Sequence, residues 1–240
     1  VHIDIEGEEE KLNNFIEKLK YKHPPLARIE KVIVEERKAV NYDSFEIRES
    51  EINNKKITLI SPDRAICEEC IEDITDPSNK RYRYPFTSCT NCGPRFSIMK
   101  SIPYDRDKTT MKKFNMCEEC NREYTDPTNR RFHAQPNACG SCGPHIWIED
   151  STGKKIEVED VIDWTRQKLK EGKIFAIKGL GGFNLVCDAT NEEAVNLLRI
   201  RKNRPHKPFA VMLRNIEDVK KYCDVAVEEE KLLTGCIKPI

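Results

Sequence analysis

No run of about 18 consecutive apolar residues occurs in the 240-residue chain, so the sequence offers no candidate spanning helix. Nor is there an excess of one charge: 41 basic residues balance 41 acidic ones, and no chain-wide field would draw the protein to nucleic acid or an anionic membrane. Residues 1–10 lack the basic start and apolar stretch of a secretory signal. A Walker A loop is missing too, since no GxxxxGK[ST] order is found. These absences point to a cytoplasmic protein with no membrane partner, whose anion sites, if any, are local. What is present, 38% hydrophobic and 34% charged residues, excludes disorder and suffices for two or three compact domains. Eleven cysteines would suit a secreted disulfide scaffold, but eight of them fall in four Cys-x-x-Cys pairs. In a reducing compartment that pattern favours metal over disulfides.

The order of elements suggests an α+β chain with several domains. Val1, Ile3 and Ile5 alternate like a strand, and Leu12, Phe15, Ile16 and Leu19 then follow helical spacing up to Pro24-Pro25. Residues 29–35 and 44–48 read as two more strands, giving half or more of a small α+β sandwich. Val1 falls directly on a strand with no leader before it, which leads us to expect a fragment. Residues 61–150 break into short pieces rich in Pro, Asn, Asp and Cys that cannot fold on an apolar core alone. Beyond them, α/β grammar returns. The pattern predicts a helix from about Val158 to Glu171 stopped by Gly172, a strand over 173–178, and a Gly-rich turn at 179–182. A helix from Thr190, with Glu193 at capping-box spacing, should run toward Arg201. A buried strand is expected at 209–213, then helices over 216–222 and 227–233, the latter ended by Gly235.

The cysteine stretch is a duplication. Shifting the sequence by 50 residues lays Cys67–Ile98 over Cys117–Ile148 with 14 of 32 positions identical; chance would give roughly two. Both copies keep Cys-Glu-Glu-Cys, Thr-Asp-Pro, an Asn, an Arg and a final Cys-x-x-Cys-Gly-Pro, with 18 residues between the pairs. Two residues between paired cysteines let both sulfurs face one ion, and the longer interval lies in the range of a zinc ribbon. We therefore expect two Zn2+ sites, Cys67, Cys70, Cys89 and Cys92 in one, and Cys117, Cys120, Cys139 and Cys142 in the other. Four thiolates leave no position for water or substrate, so the sites should be structural. Gly93 and Gly143 would supply left-handed or closely approached backbone. Redox-active pairs fit the fixed repeat poorly. Pairing across the copies, or His133 or His145 replacing a sulfur, stays open, although the duplication favours one ion per copy and positions 83 and 95 of the first copy are arginine. Cys187, Cys223 and Cys236 have no partner at ligand spacing and are expected as buried thiols.

A non-enzymatic zinc-ribbon module binding a protein or RNA is the alternative reading. Against RNA, residues 61–150 carry 13 basic and 14 acidic side chains, no phosphate-binding excess. Lys80-Arg81-Tyr82-Arg83-Tyr84 has the basic and aromatic interleaving of an RNA contact, or that of packing and solvated charge. The last 90 residues differ. From 151 to 240 there are 17 basic residues against 14 acidic, with Arg199, Arg201, Lys202, Arg204 and Lys207 in one acid-free run. Together with the glycine-rich Lys178-Gly179-Leu180-Gly181-Gly182 after a strand, they suggest an anion site for a phosphate or nucleotide.

The full spacing, Cys-x2-Cys-x18-Cys-x2-Cys-x24-Cys-x2-Cys-x18-Cys-x2-Cys, preceded by Ser61-Pro62-Asp63, resembles the carbamoyltransferases of nickel-iron hydrogenase maturation, the HypF family. Ile102-Pro103-Tyr104-Asp105-Arg106, Thr109-Thr110-Met111 and Phe114-Asn115-Met116-Cys117 are similar to that family as well. The resemblance implies a partial acylphosphatase-like (ferredoxin-like) sandwich over 1–52, a tandem four-cysteine zinc-finger domain over 53–150, and the N-terminal part of a YrdC-like carbamoyl-adenylate synthase domain over 151–240. It further implies an ATP-dependent carbamoyltransferase. Carbamoyl phosphate would be cleaved to carbamate, ATP with Mg2+ would convert this to carbamoyl adenylate, and the carbamoyl group would pass to the C-terminal cysteine of a HypE-type partner maturation protein, as precursor of a cyanide ligand. By position, Lys178, Gly179, Gly181, Gly182, Lys202, Arg204 and Lys207 correspond to the nucleotide and carbamate site. The acylphosphatase arginine and asparagine and the transferase residues would lie outside this chain, leaving the piece inactive by itself. The YrdC-like domain allows nucleic-acid binding, which is not expected as the function.

Overall fold

The computed structural model describes residues 2–23, 27, 29–46 and 61–235. The chain divides into two compact units, Val1–Leu59 and Ile60–Ile240.

In the first unit the expected helix forms as α1, Glu9–Tyr21. Glu9 and Glu10 in its first turn and Lys18 and Lys20 in its last oppose the helix dipole as they should. Among the described residues the expected strands do not form. Ile3, Ile5, Ile33 and Val34 lie in unpaired, exposed backbone, and residues 47–48 of the third expected strand fall outside the described residues. A strand is stable only where a neighbour takes up its N–H and C=O groups, and no ladder forms among the described residues of this unit. A long-range link joins distant parts of the unit: the Glu6 carboxylate accepts from the amides of Val40, at 2.8 Å, and Tyr42. These bonds hold the Glu6 carboxyl below its ordinary range.

The second unit carries the buried core, and that core sits in the duplicated stretch. Each copy opens with a short helix, α2 (Glu68–Thr75) and α3 (Glu118–Thr125), entered directly from the first cysteine of its pair. The repeated residues then build the same turn twice. Asp76 accepts from the Ser78 amide at 2.9 Å and Asn79 from the Arg81 amide at 2.9 Å; Asp126 accepts from Thr128 and Asn129 from Arg131 at the same two distances. A left-handed residue closes each turn, Arg83 at φ 56° and His133 at φ 51°. Its amide donates back to the helix, to the carbonyl of Ile74 at 2.8 Å or Tyr124 at 3.0 Å. The chain from the end of the first copy through the linker winds through three short 3-10 turns, Phe96–Ile98, Arg106–Lys108 and Thr110–Lys113. There Tyr84, Ile98, Met111 and Ala138 form a small apolar cluster with Tyr104 and Phe114 against it.

The rest of the unit begins with a two-stranded ribbon, β1 (Ile148–Glu149) against β2 (Lys155–Ile156). Helix α4 (Val161–Lys170) starts three residues later than expected, because Asp160 caps it by accepting from the Asp163 amide at 2.9 Å. Gly172 stops it at φ 81°. Strands β3 (Phe175–Gly179) and β4 (Gly182–Val186) pair as a tight hairpin, Gly179 opposite Gly182. Helix α5 (Glu192–Arg201) is capped by Asn191, whose side chain accepts from the Ala194 amide at 2.9 Å. The Thr190 hydroxyl, expected as the cap, instead donates to Asp188 at 2.7 Å. Residues 209–213, expected as a buried strand, are unpaired, with Met212 97% exposed. Helices α6 (Ile216–Lys220) and α7 (Val227–Thr234) follow, with Gly235 at the end of α7.

Candidate metal centre

The eight paired cysteines gather into two clusters, Cys67, Cys70, Cys89 and Cys92, and Cys117, Cys120, Cys139 and Cys142, with the sulfurs of each within 4.8 Å of one another. Pairing therefore stays within each copy. Tetrahedral thiolate ligation at about 2.3 Å sets sulfur–sulfur edges of about 3.8 Å. The observed edges are 3.6 Å for Cys67–Cys89, 3.8 Å for Cys89–Cys92, 3.8 Å for Cys117–Cys139 and 3.7 Å for Cys139–Cys142. A disulfide would need about 2.05 Å. The four-thiol sites thus fit a metal ion in size and donor chemistry, and with four protein ligands each is closed.

The backbone around the sulfurs is fixed by close approach. Gly93 stands at φ 90°, where a Cβ would come within 2.5 Å of the Ser88 Cβ. Gly143 meets the expectation through space alone, since its Cβ would overlap Tyr84 and lie 2.6 Å from the Ala138 Cβ. The Asn91 amide donates to Cys89 Sγ at 3.3 Å.

Without a metal, four adjacent thiols cannot all ionise. Burial pushes the Cys67 thiol up to about 12. Hydrogen bonding to Cys89 and Cys92 raises Cys70, and Cys92 is held up at about 11 although its bond with Cys70 pulls the other way. Bonds from Cys70 and Cys92 push Cys89 down, so the negative charge of the first site rests there. In the second site burial raises Cys120, while Cys139, in spite of its own burial, falls to about 7 under bonds from the Ser141 backbone and neighbouring thiols.

Positive side chains complete both sites, and each comes from the opposite copy. Arg81, 1% exposed, donates to Cys120 Sγ at 3.5 Å, to the Ala138 carbonyl at 2.9 Å, to Asn137 Oδ1 at 2.9 Å and to both oxygens of Glu123. Its counterpart Arg131 donates to Cys70 Sγ at 3.8 Å, to the Ser88 carbonyl at 3.1 Å and to Asp73. Arg130 adds a 3.0 Å bond to Cys70 Sγ. Sequence reasoning marked Arg81 and Arg131 as repeat identities and missed this role. The surrounding basic and aromatic run is packing rather than an RNA face: Arg81 and Tyr84 are buried, Lys80 pairs with Glu123 at 3.1 Å, and Arg83 with Asp160 at 2.8 Å. His133 and His145 are exposed and outside both clusters. Cys187 is half-buried and Cys223 exposed, which corrects the expectation of buried thiols, and Cys236 lies outside the described residues.

The anion-site residues are less tightly arranged. Lys178 lies over the Phe183 ring at 4.9 Å, Gly181 is open to solvent, and Lys202 ends α5. Arg204 donates to the Pro208 carbonyl at 3.2 Å and stacks on Phe209, which Arg199 also covers at 4.7 Å. Among the described residues no hydrogen bond, ion pair or ring contact joins 178–182 to 202–207, and Lys178, Lys202 and Lys207 are all exposed.

Comparison with known proteins follows the same division. Family models match in three places: Acylphosphatase over residues 1–47, HypF finger over 66–99 and 116–149, and Telomere recombination, the Sua5/YrdC model, over 167–238. Carbamoyltransferase HypF2 of Cupriavidus necator is 48% identical over 243 residues, covering 100% of this chain and 30% of that protein. Carbamoyltransferase HypF of Synechocystis is 47% identical, over 98% of this chain and 31% of that protein. The chain belongs to the HypF carbamoyltransferase family. Two solved family structures resemble the fold. Full-length HypF in its phosphate- and nucleotide-bound form superposes with a TM-score of 0.85 at 50% identity, over 95% of this chain and 30% of that one. HypF of T. kodakarensis gives 0.84 at 47%, over 96% and 29%. The organisation into an acylphosphatase-like part, a double four-cysteine finger and a YrdC-like part is that of the family. The chain spans about 30% of the length of these relatives. No helix among the described residues is long and apolar enough to cross a membrane.

Proposed function

We infer that this chain is a working section of a cytoplasmic, ATP-dependent carbamoyltransferase of nickel-iron hydrogenase maturation, with domains at 1–52, 53–150 and 151–240. The observation that carries the reading is 48% identity to a carbamoyltransferase along the whole chain, both finger copies included. The reaction begins with hydrolysis of carbamoyl phosphate to carbamate and phosphate. Carbamate oxygen then attacks the α-phosphorus of Mg-ATP, giving carbamoyl adenylate and pyrophosphate. A cysteine thiolate at the C-terminus of a HypE-type partner finally attacks the carbamoyl carbon, and AMP leaves.

The residues here would serve the second step. Lys202, Arg204 and Lys207 neutralise the triphosphate and the charge that develops on adenylyl transfer, while Gly179, Gly181 and Gly182 let backbone donors approach the carbamate and Lys178 adds a cation at the strand end. The phosphate and nucleotide named for the solved full-length relative support a site of this kind. The two cysteine clusters each hold one Zn2+ as a structural tie, the metal fixing four chain positions that this stretch cannot fix by apolar burial. They keep the flanking domains in place and take no part in the chemistry.

The test is exchange of labelled pyrophosphate into ATP by the whole gene product, dependent on carbamoyl phosphate. We expect exchange in the wild type and a loss of at least about tenfold with Lys202→Ala or Arg204→Ala. No carbamoyl-phosphate-dependent exchange by the wild type would sink the enzyme reading.

A further inference from the structure

The two metal sites are wired to each other through the arginines that the repeats exchange, a deduction that rests on the metal-site reading above. The path is short and made of named contacts. Cys70 lies on α2; the Ile74 carbonyl at the end of α2 receives the Arg83 amide at 2.8 Å; and the turn so anchored presents Arg81 to Cys120 and Glu123 of the other copy. The second copy returns the arrangement. Cys120 lies on α3, Tyr124 receives the His133 amide at 3.0 Å, and the turn presents Arg131 to Cys70 and Asp73. Every member of one path lies 50 positions from its counterpart, so the symmetry is that of the duplication itself.

Charge makes the path matter. A dication held by four thiolates keeps a net charge of about −2, and a buried guanidinium 3.5 Å from one of the sulfurs offsets part of it. When the opposite site is empty, α3 loses the tie at Cys120, and Arg81 is left as a buried cation whose acceptors are no longer fixed. An empty site therefore harms its loaded neighbour, and filling either prepares the other. The geometry points to Arg81 and Arg131 as positioning residues that couple the two sites, so that Zn2+ ions load and leave as a pair.

The experiment is a Zn2+ titration of the metal-stripped 240-residue chain, followed by native mass spectrometry of the forms with no, one and two ions. Independent equal sites leave about half the molecules with one ion at half saturation; tenfold coupling, within the usual range of about 5- to 150-fold, lowers that share to about a quarter. Two variants fix the cause. Cys117→Ser removes a ligand of the second site and should weaken Zn2+ binding at the first by at least about fivefold. Arg81→Met with Arg131→Met should still bind two ions, with the one-ion share returned to about half. A one-ion share of half or more in the wild type, with first-site affinity unchanged in Cys117→Ser, would overturn the coupling and leave the metal sites standing. A depressed one-ion share that persists in the double arginine variant overturns the role of the arginines. No bound Zn2+ in the wild type would remove the metal-site reading itself.

Discussion

Gly143, at the end of the second metal site, faces Tyr84 of the first repeat so closely that a Cβ at position 143 would overlap the Tyr84 hydroxyl. The same Cβ would lie 2.6 Å from the Ala138 Cβ and 3.2 Å from the Cys139 carbonyl oxygen, so there is no direction in which the chain can yield cheaply. Gly143→Ala should cost about 1–3 kcal/mol, the ordinary range for overpacking. Gly7→Ala is the control, because nothing lies within 4 Å of a Cβ there. Chemical denaturation with Zn2+ present, followed by tryptophan fluorescence, would compare them. Equal midpoints for Gly143→Ala and the wild type would show that Tyr84 and the second site are not packed as described.

Arg106 ties the linker between the copies to the second copy by two backbone carbonyls, Gln135 at 2.6 Å and Asn137 at 2.9 Å, and to the linker's own Phe114 carbonyl at 2.8 Å. Burial depresses its guanidinium, yet no carboxylate pairs with it among the described residues. Its contribution is therefore geometric, a planar fork matched to carbonyls that would otherwise be buried without donors. Arg106→Ala should lose about 2–4 kcal/mol, since the carbonyls are left unsatisfied. Arg106→Lys should recover only part, because one ammonium cannot reach all three. Urea midpoints for the three proteins at one metal concentration check the order; a lysine variant as stable as the wild type would show that charge alone is needed.

What the sequence reveals follows the range of the interactions involved. Metal ligands must sit at fixed local intervals, so the eight cysteines and their grouping were readable from spacing, as was helix α1 from Leu12, Phe15, Ile16 and Leu19. The cap of α5 was misplaced by one residue because Thr190 and Asn191 both have capping side chains, and only the backbone decides that Asp188 takes the first. The expected strand at 209–213 failed for another reason: apolar residues favour a strand only if a neighbour pairs with them. Arg81 and Arg131 stood out as identities, but their acceptors lie 39 to 61 residues away, and spacing says nothing about a side chain that crosses to the other copy.

Glu123 is the acidic partner of this crossing. Burial pushes its carboxyl up, but the bond and charge of Arg81 and then of Lys80 prevail and hold it at about 2, against an ordinary 4.5. A depressed folded pKa contributes stability that is fully present above the unfolded value and lost as pH falls from about 4.5 toward about 2. The shift corresponds to about 3 kcal/mol for a side chain 19% exposed. Glu123→Gln should therefore lose about that much at pH 7.5 and the same amount at pH 5.5, because the carboxylate is ionised across the interval. Denaturation of both proteins at the two pH values is the check. A gap near zero at both pH values would mean that Glu123 titrates near its ordinary value and that the pair with Arg81 is weak.

Metal uptake gives a second pH dependence of the same sign, arising from raised thiols rather than a lowered carboxyl. In the metal-free first site Cys89 is the one thiol pushed down, whereas Cys67 stands near 12, Cys92 near 11, and Cys70 is raised. At pH 7 three of these four thiols carry their protons, and binding as thiolates must expel them. The bound state holds fewer protons, so affinity rises with pH throughout the interval between the lowered Cys89 and the raised group, and falls as the solution is acidified. About three protons should leave per Zn2+ at the first site, a slope of about three in the logarithm of the apparent affinity per pH unit. Calorimetry of the Cys117→Ser chain, which isolates the first site, in buffers of different ionisation enthalpy measures this number directly. A release near zero would mean that the four thiols are already ionised before the metal arrives, which four sulfurs within 4.8 Å of one another do not permit without a cation among them.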